Sequence, residues 1–189
     1  MTDPVLQAIA KAAADFTGAA AGWVVGTAGD RLVVRAVAGD APPSLVGAQA
    51  PDGAGPAEYV VTSGQPLALA SRVGDPRAAE GLAAVLGRPP GSVLCVPCEV
   101  DDAVVGALEL VDKAGGGSFS FDDVELATLL AGIAGVALVS GHEGRAGTAA
   151  APPSPSDLAD GLARLAATAP TRYPAVAEVV ATLVSGDGL

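Results

Sequence analysis

The chain has 189 residues, of which 50% are hydrophobic but only 3% aromatic, and 21 acidic against 10 basic side chains leave a formal net charge of −11. That length suits one ordinary domain with a tail and is enough for a real core. The acidity argues against nucleic acid and anionic bilayers, whose phosphates would be repelled, and the few aromatic rings offer no platform for stacking bases.

Asp3–Thr17 reads as a helix. Asp3-Pro4 supplies a cap and a first-turn proline, Leu6, Ile9, Ala10, Ala13 and Phe16 form the apolar stripe, and Gly18 ends it. The opening Met1-Thr2-Asp3 lacks the basic start of a signal peptide and no apolar run approaches the length of a membrane helix, so a cytoplasmic protein is expected. Ala20–Thr27 and Arg31–Ala38 form a hairpin around Gly29-Asp30, with Trp23, Val24, Val25, Val33, Val34 and Val37 as strand formers. Ala41–Pro56 is loop, Pro56–Thr62 a short helix ending at Ser63-Gly64, and Pro66–Ala70 a short strand. Arg72–Pro90 is a loop carrying a short helix, Ala78–Leu86.

A second hairpin follows, Ser92–Val100 and Ala103–Val111, joined by Asp101-Asp102. Gly115-Gly116-Gly117 closes it, because consecutive glycines give up packing and backbone order. A long helix starts near Phe121 and covers Asp122–Ser140. Asp122, Asp123 and Glu125 favour the positive end of its dipole, and Leu126, Leu129, Leu130, Ile133, Val136, Ala137 and Val139 make its buried stripe. Gly141–Pro155 is a linker. Residues 156–189 form an amphipathic tail: a helix Ser156–Ala167 with Leu158, Leu162 and Leu165 on one face, a break between Pro170 and Pro174, and a helix Ala175–Leu183 carrying Val176, Val179, Val180 and Leu183.

Three groups of residues resemble the GAF domain family, the small ligand-sensing fold related to PAS domains. They are Ser92-Val93-Leu94-Cys95-Val96-Pro97, Val105-Gly106-Ala107-Leu108-Glu109-Leu110, and Phe119-Ser120-Phe121-Asp122-Asp123, in the family's order and spacing. Gly55–Leu67, a helix closing on Gly64-Gln65-Pro66-Leu67, adds to the likeness, which spans about residues 3 to 140. The resemblance implies an α+β fold with an antiparallel sheet of five or six strands. The first and last helices would pack on its back, loops and short helices on its front, and the Arg72–Pro90 region over a ligand pocket. It also implies a homodimer through the first and last helices, whose alanine-rich stripes would allow close approach.

Cys95 and Cys98 are three apart on a strand and so point to opposite faces, which places them as core residues and not as a redox pair. With two cysteines and the single His142, placed in the linker, the chain is short of the ligands a zinc site needs, and the family's haem and bilin modes are not expected. No cofactor is assigned. Asp112-Lys113, followed by Phe119 or Phe121 and Asp122-Asp123, echoes the cyclic-nucleotide signature of the family, which mainly supports a Lys-to-Asp structural bridge. The free methionine-R-sulfoxide reductase branch would need a nucleophilic cysteine before Ser92, yet Gly87–Gly91 has none, and Val93 stands where a second pocket acid would be.

Glu109 is the residue of interest. Val105, Ala107, Glu109 and Val111 share one strand face and Val104, Leu108 and Leu110 the other, and a carboxylate on a covered face is costly unless paired or solvated. It is either a pocket acid for a polar or cationic ligand group or a sheet-edge or solvent-facing residue paired with Arg72, Arg77 or Arg88. The expected pocket is Glu109, Cys95, Ala107, Arg72 and Tyr59, with core packing the alternative for Tyr59 and Trp23. The expected function is a non-enzymatic signalling module that passes its signal to another chain, with the tail as a partner-docking or capping element; a degenerate scaffold with a filled pocket is the alternative.

Overall fold

A computed structural model describes residues 3–50, 55–70, 86–143, 155–168, 173–174 and 177. The chain divides into two units, Met1–Glu143 and Gly144–Leu189. In the first, the Asp3 carboxylate caps helix α1 (Pro4–Thr17) by accepting from the N–H groups of Val5 and Leu6, and Gly18 ends it in the left-handed conformation. Its buried line is Leu6, Ile9, Ala10, Ala13, Ala14 and Thr17. Phe16, expected on that line, is 52% exposed, because it falls one position off the row that residues 6, 10, 13 and 17 follow.

Five antiparallel strands, β1 (Ala19–Ala28), β2 (Arg31–Gly39), β3 (Leu67–Ala70), β4 (Ser92–Val100) and β5 (Ala103–Lys113), form one sheet in the order β2-β1-β5-β4-β3. Both hairpins are where the alternation puts them. Asp101 and Asp102 both take positive φ, as a two-residue turn of the primed type requires. One expected side is reversed. Cys98 pairs with Gly106 and Glu99 with Val104, so Val105 is the surplus residue of a β-bulge and packs with the back cluster, while Ala107 and Val111 stay in front. Val104, expected behind the sheet, lies toward Gly64 on the front.

The back is covered by α1 and by α3 (Phe121–Glu143), whose Ala10, Ala13, Ala127, Ala131 and Ala134 pack with Leu94, Val96, Leu108 and Leu110 of the sheet. Burying each such leucine contributes about 2 kcal/mol. Close approach depends on Gly106, where a Cβ would collide with the Val25 carbonyl oxygen and come 2.8 Å from a Leu138 methyl. The alanines expected to serve a dimer are therefore consumed inside the unit. The buried stripe of α3 is also rotated from expectation: Ala127, Leu130, Ala131, Ala134 and Leu138 face inward, while Leu129, Val136 and Val139 face out. Apolar residues on both sides explain why Phe121–Ser140 is long and apolar enough to cross a membrane by length and composition, contrary to the sequence expectation. His142 belongs to the last turn of α3 and not to a linker.

The front is covered by α2 (Pro56–Ser63) through Ala57 and Val60, with Leu45, Val46 and Leu86 from flanking segments. In the second unit α4 (Pro155–Thr168) occupies the expected place, with Leu162 partly buried. The side chains of Leu158 and Leu165, and Val176, Val179 and Leu183, lie outside the described residues.

Candidate functional site

On the front of the sheet Glu109 sits between Trp23, its neighbour across β1, and Cys95, its neighbour across β4. The two strands on either side of β5 thus present an indole and a thiol to one carboxylate. Glu109 is only 3% exposed and β5 is the central strand, so it is not the sheet-edge or solvent-facing residue of the alternative reading. Trp23 Nε1–H donates to its Oε2 at 2.8 Å, and Oε1 has no hydrogen-bond partner among the described residues. Burial pushes the Glu109 carboxyl up to about 7, while the indole bond pulls it down. It is an acid poised near neutrality, with one oxygen open to a donor.

Ala107 and Cys95 lie beside it in the same apolar cluster, so the structure brings together three of the five expected pocket residues. Tyr59 does not join them. It is 51% exposed, because Ala57 and Val60 take the buried side of α2, and that also removes it from the core. Arg72 lies outside the described residues, as do Arg77 and the Ala78–Leu86 helix apart from Leu86. Trp23 is buried as expected, but its role as donor to Glu109 depends on the β1–β5 register, which no local pattern reveals.

The cysteines occupy opposite faces, Cys95 in front and Cys98 behind. Burial, then the Glu109 charge, then Cys98 hold the Cys95 thiol well above its ordinary value, and burial pushes Cys98 up to about 12. Both remain protonated thiols and poor nucleophiles.

Arg88, considered as a partner for Glu109, instead donates to Asp112 Oδ2 at 2.6 Å, while Asp112 Oδ1 accepts from Gly91 N–H. That pairing ties the segment before β4 to the end of β5. Next to it Lys113 Nζ reaches both oxygens of Asp123 at 2.7 Å and lies 5.8 Å over the Phe119 ring. Phe119 and Asp123 are therefore the partners in the Lys-to-Asp bridge; Phe121 is 89% exposed. Desolvation raises the Asp123 carboxyl, but hydrogen bonds from Lys113 and Ser120 outweigh it and hold the group below its ordinary value. Ser120 and Asp123 also cap α3 reciprocally. This network is structural. An open recess of about 200 Å³ at the other end, lined by Asp30, Arg31, Leu32, Glu58, Val61 and Thr62 among others, does not include Glu109.

A five-stranded antiparallel sheet with two helices behind it and a short helix in front is the architecture of a small sensor domain. The GAF domain family model matches residues 2–139, and the chain belongs to that family, whose members are typically sensory or regulatory. No curated protein matches it in sequence. Similar solved structures include the second GAF domain of DevS from Mycobacterium smegmatis, at 25% identity and a TM-score of 0.58, covering 75% of this chain and 95% of that one. Another is the GAF domain of a phosphoenolpyruvate-protein phosphotransferase from Coxiella burnetii, at 15% and 0.63, covering 73% and 82%. A third is the type II free methionine-R-sulfoxide reductase from Thermoplasma acidophilum, at 14% and 0.57, covering 71% and 89%. The last two share the fold alone.

Proposed function

We propose that this chain is a non-enzymatic sensory or regulatory module that receives a small molecule at Glu109 on the front of its sheet and passes the change to another chain. The observation that carries this reading is the buried carboxylate with one oxygen unpartnered among the described residues. Leaving a charged acceptor unsatisfied in an apolar layer is costly, and a ligand donor would remove the cost. Against reductase chemistry, both cysteines are buried protonated thiols, and residues 87–91 contain no nucleophile of the kind that branch needs.

The packed front cluster favours a second reading, a scaffold whose pocket is filled by its own side chains. Thermal denaturation against nucleotides, amino acids and haem separates the two. A sensor gains melting temperature with ligand concentration, and the gain disappears in Glu109→Gln. No gain with any of them supports the scaffold. The output surface proposed is the outward side of α1 and α3, where Val5, Phe16, Leu129, Val136 and Val139 would meet a second copy; the tail is the proposed dock for a different protein.

A further inference from the structure

We infer that the ligand received at Glu109 is a small, mostly apolar cation, an amine or amidine whose N–H donates to Oε1 while its hydrocarbon part packs among Trp23, Cys95 and Ala107. This rests on the reading of the front face as the ligand site and adds the chemical class.

The polarity of the site decides between classes. Oε2 already accepts from the indole, and Oε1 is an acceptor buried without a donor. From β1 the site receives Trp23, from β4 the Cys95 thiol, and from α2 the methyl groups of Ala57 and Val60. The other titratable groups of α2 are Glu58, along the open recess, and Tyr59, half exposed. Among the described residues no Lys, Arg or His is hydrogen-bonded or ion-paired to Glu109; Arg88 and Lys113 are engaged by Asp112 and Asp123. A carboxylate, nitrate or phosphate would thus meet a buried acid with no cation among the described residues to offset it, and the −11 net charge adds to the repulsion. A neutral hydrocarbon would fill the apolar wall but leave Oε1 unsatisfied. A neutral alcohol or amide would satisfy Oε1 but leave the ionised form's charge uncompensated, whereas a cationic donor does both.

Binding such a cation is linked to a proton. Because the empty site holds its carboxyl near neutrality, the ligand must bind the ionised form, so affinity rises with pH until that form predominates. The chain contains one tryptophan, and it is the residue bonded to Glu109, so its fluorescence reports the site directly.

The experiment titrates the full-length protein with benzylamine, benzyl alcohol and benzoate, following Trp23 emission at about pH 8 and about pH 5.5. Benzylamine should bind about tenfold or more tightly at the higher pH, and benzyl alcohol and benzoate should be weak at both. Glu109→Gln should lose the preference for the amine. The pH dependence in the unsubstituted protein tests the same point without requiring that variant to fold. Equal binding of amine and alcohol, or tighter benzoate, would overturn the cation class and leave the front site standing. Silence of all three probes overturns this proposal, and silence of the nucleotide, amino-acid and haem panel as well overturns the site itself.

Discussion

At the scale of single residues Glu109 makes a stability prediction independent of any ligand. A carboxyl whose folded value exceeds its unfolded one binds its proton more tightly in the native state, so stability is fullest below the ordinary value of 4.5 and falls as pH rises to about 7. The loss across that window is about 3 kcal/mol. Urea midpoints measured from mildly acidic to mildly alkaline buffer should show this slope, and Glu109→Gln should flatten it. A flat profile in the unsubstituted protein would mean that the acid is solvated. Glu109 could be singled out from sequence because strand alternation alone puts a charge on a covered face. Its donor could not, since Trp23 and Glu109 are 86 residues apart and meet only through strand pairing. The Arg88–Asp112 pair escaped notice for the same reason.

At the scale of elements, caps, hairpin turns and helix starts were readable because their chemistry is local: Asp3 and Gly18 around α1, Asp101-Asp102 between strands, the acidic first turn of α3. The phase of α3 was not. An almost wholly apolar helix carries no polar side to mark its outside, so only packing tells Leu130 from Leu129. Nor does periodicity reveal how close two layers sit. At Gly106 even one methyl group meets the backbone of the next strand, which a side-chain rotation cannot relieve. Gly106→Ala should cost about 2 kcal/mol or more by chemical denaturation. A loss of a few tenths would show that β1 and β5 can part there without harm.

At the scale of the whole molecule, the fold class was legible through the family resemblance that residues 92–97, 105–110 and 119–123 carry, with the hairpins and capped helices falling in the order that family implies. The assembly was less so, since the small residues that looked made for a partner are spent within the unit. If a second copy docks, larger outward side chains must do it. Leu129→Glu with Val136→Glu should convert a dimer to a monomer in sedimentation velocity while shifting the melting temperature little, as both positions already face solvent within the unit. A monomeric unsubstituted protein would end the dimer proposal.

The surplus Val105 also determines how β5 can change length. Excising its codon would restore a one-to-one ladder and leave Gly106 against Gly26 and Glu109 against Trp23. Losing a residue between 107 and 109 instead would force either a side chain into the gap that only glycine fits, or the acid onto the wrong surface. Deletions in this strand are therefore unequal: one of the two adjacent valine codons at 104 and 105 is expendable, and a codon beyond Gly106 is not.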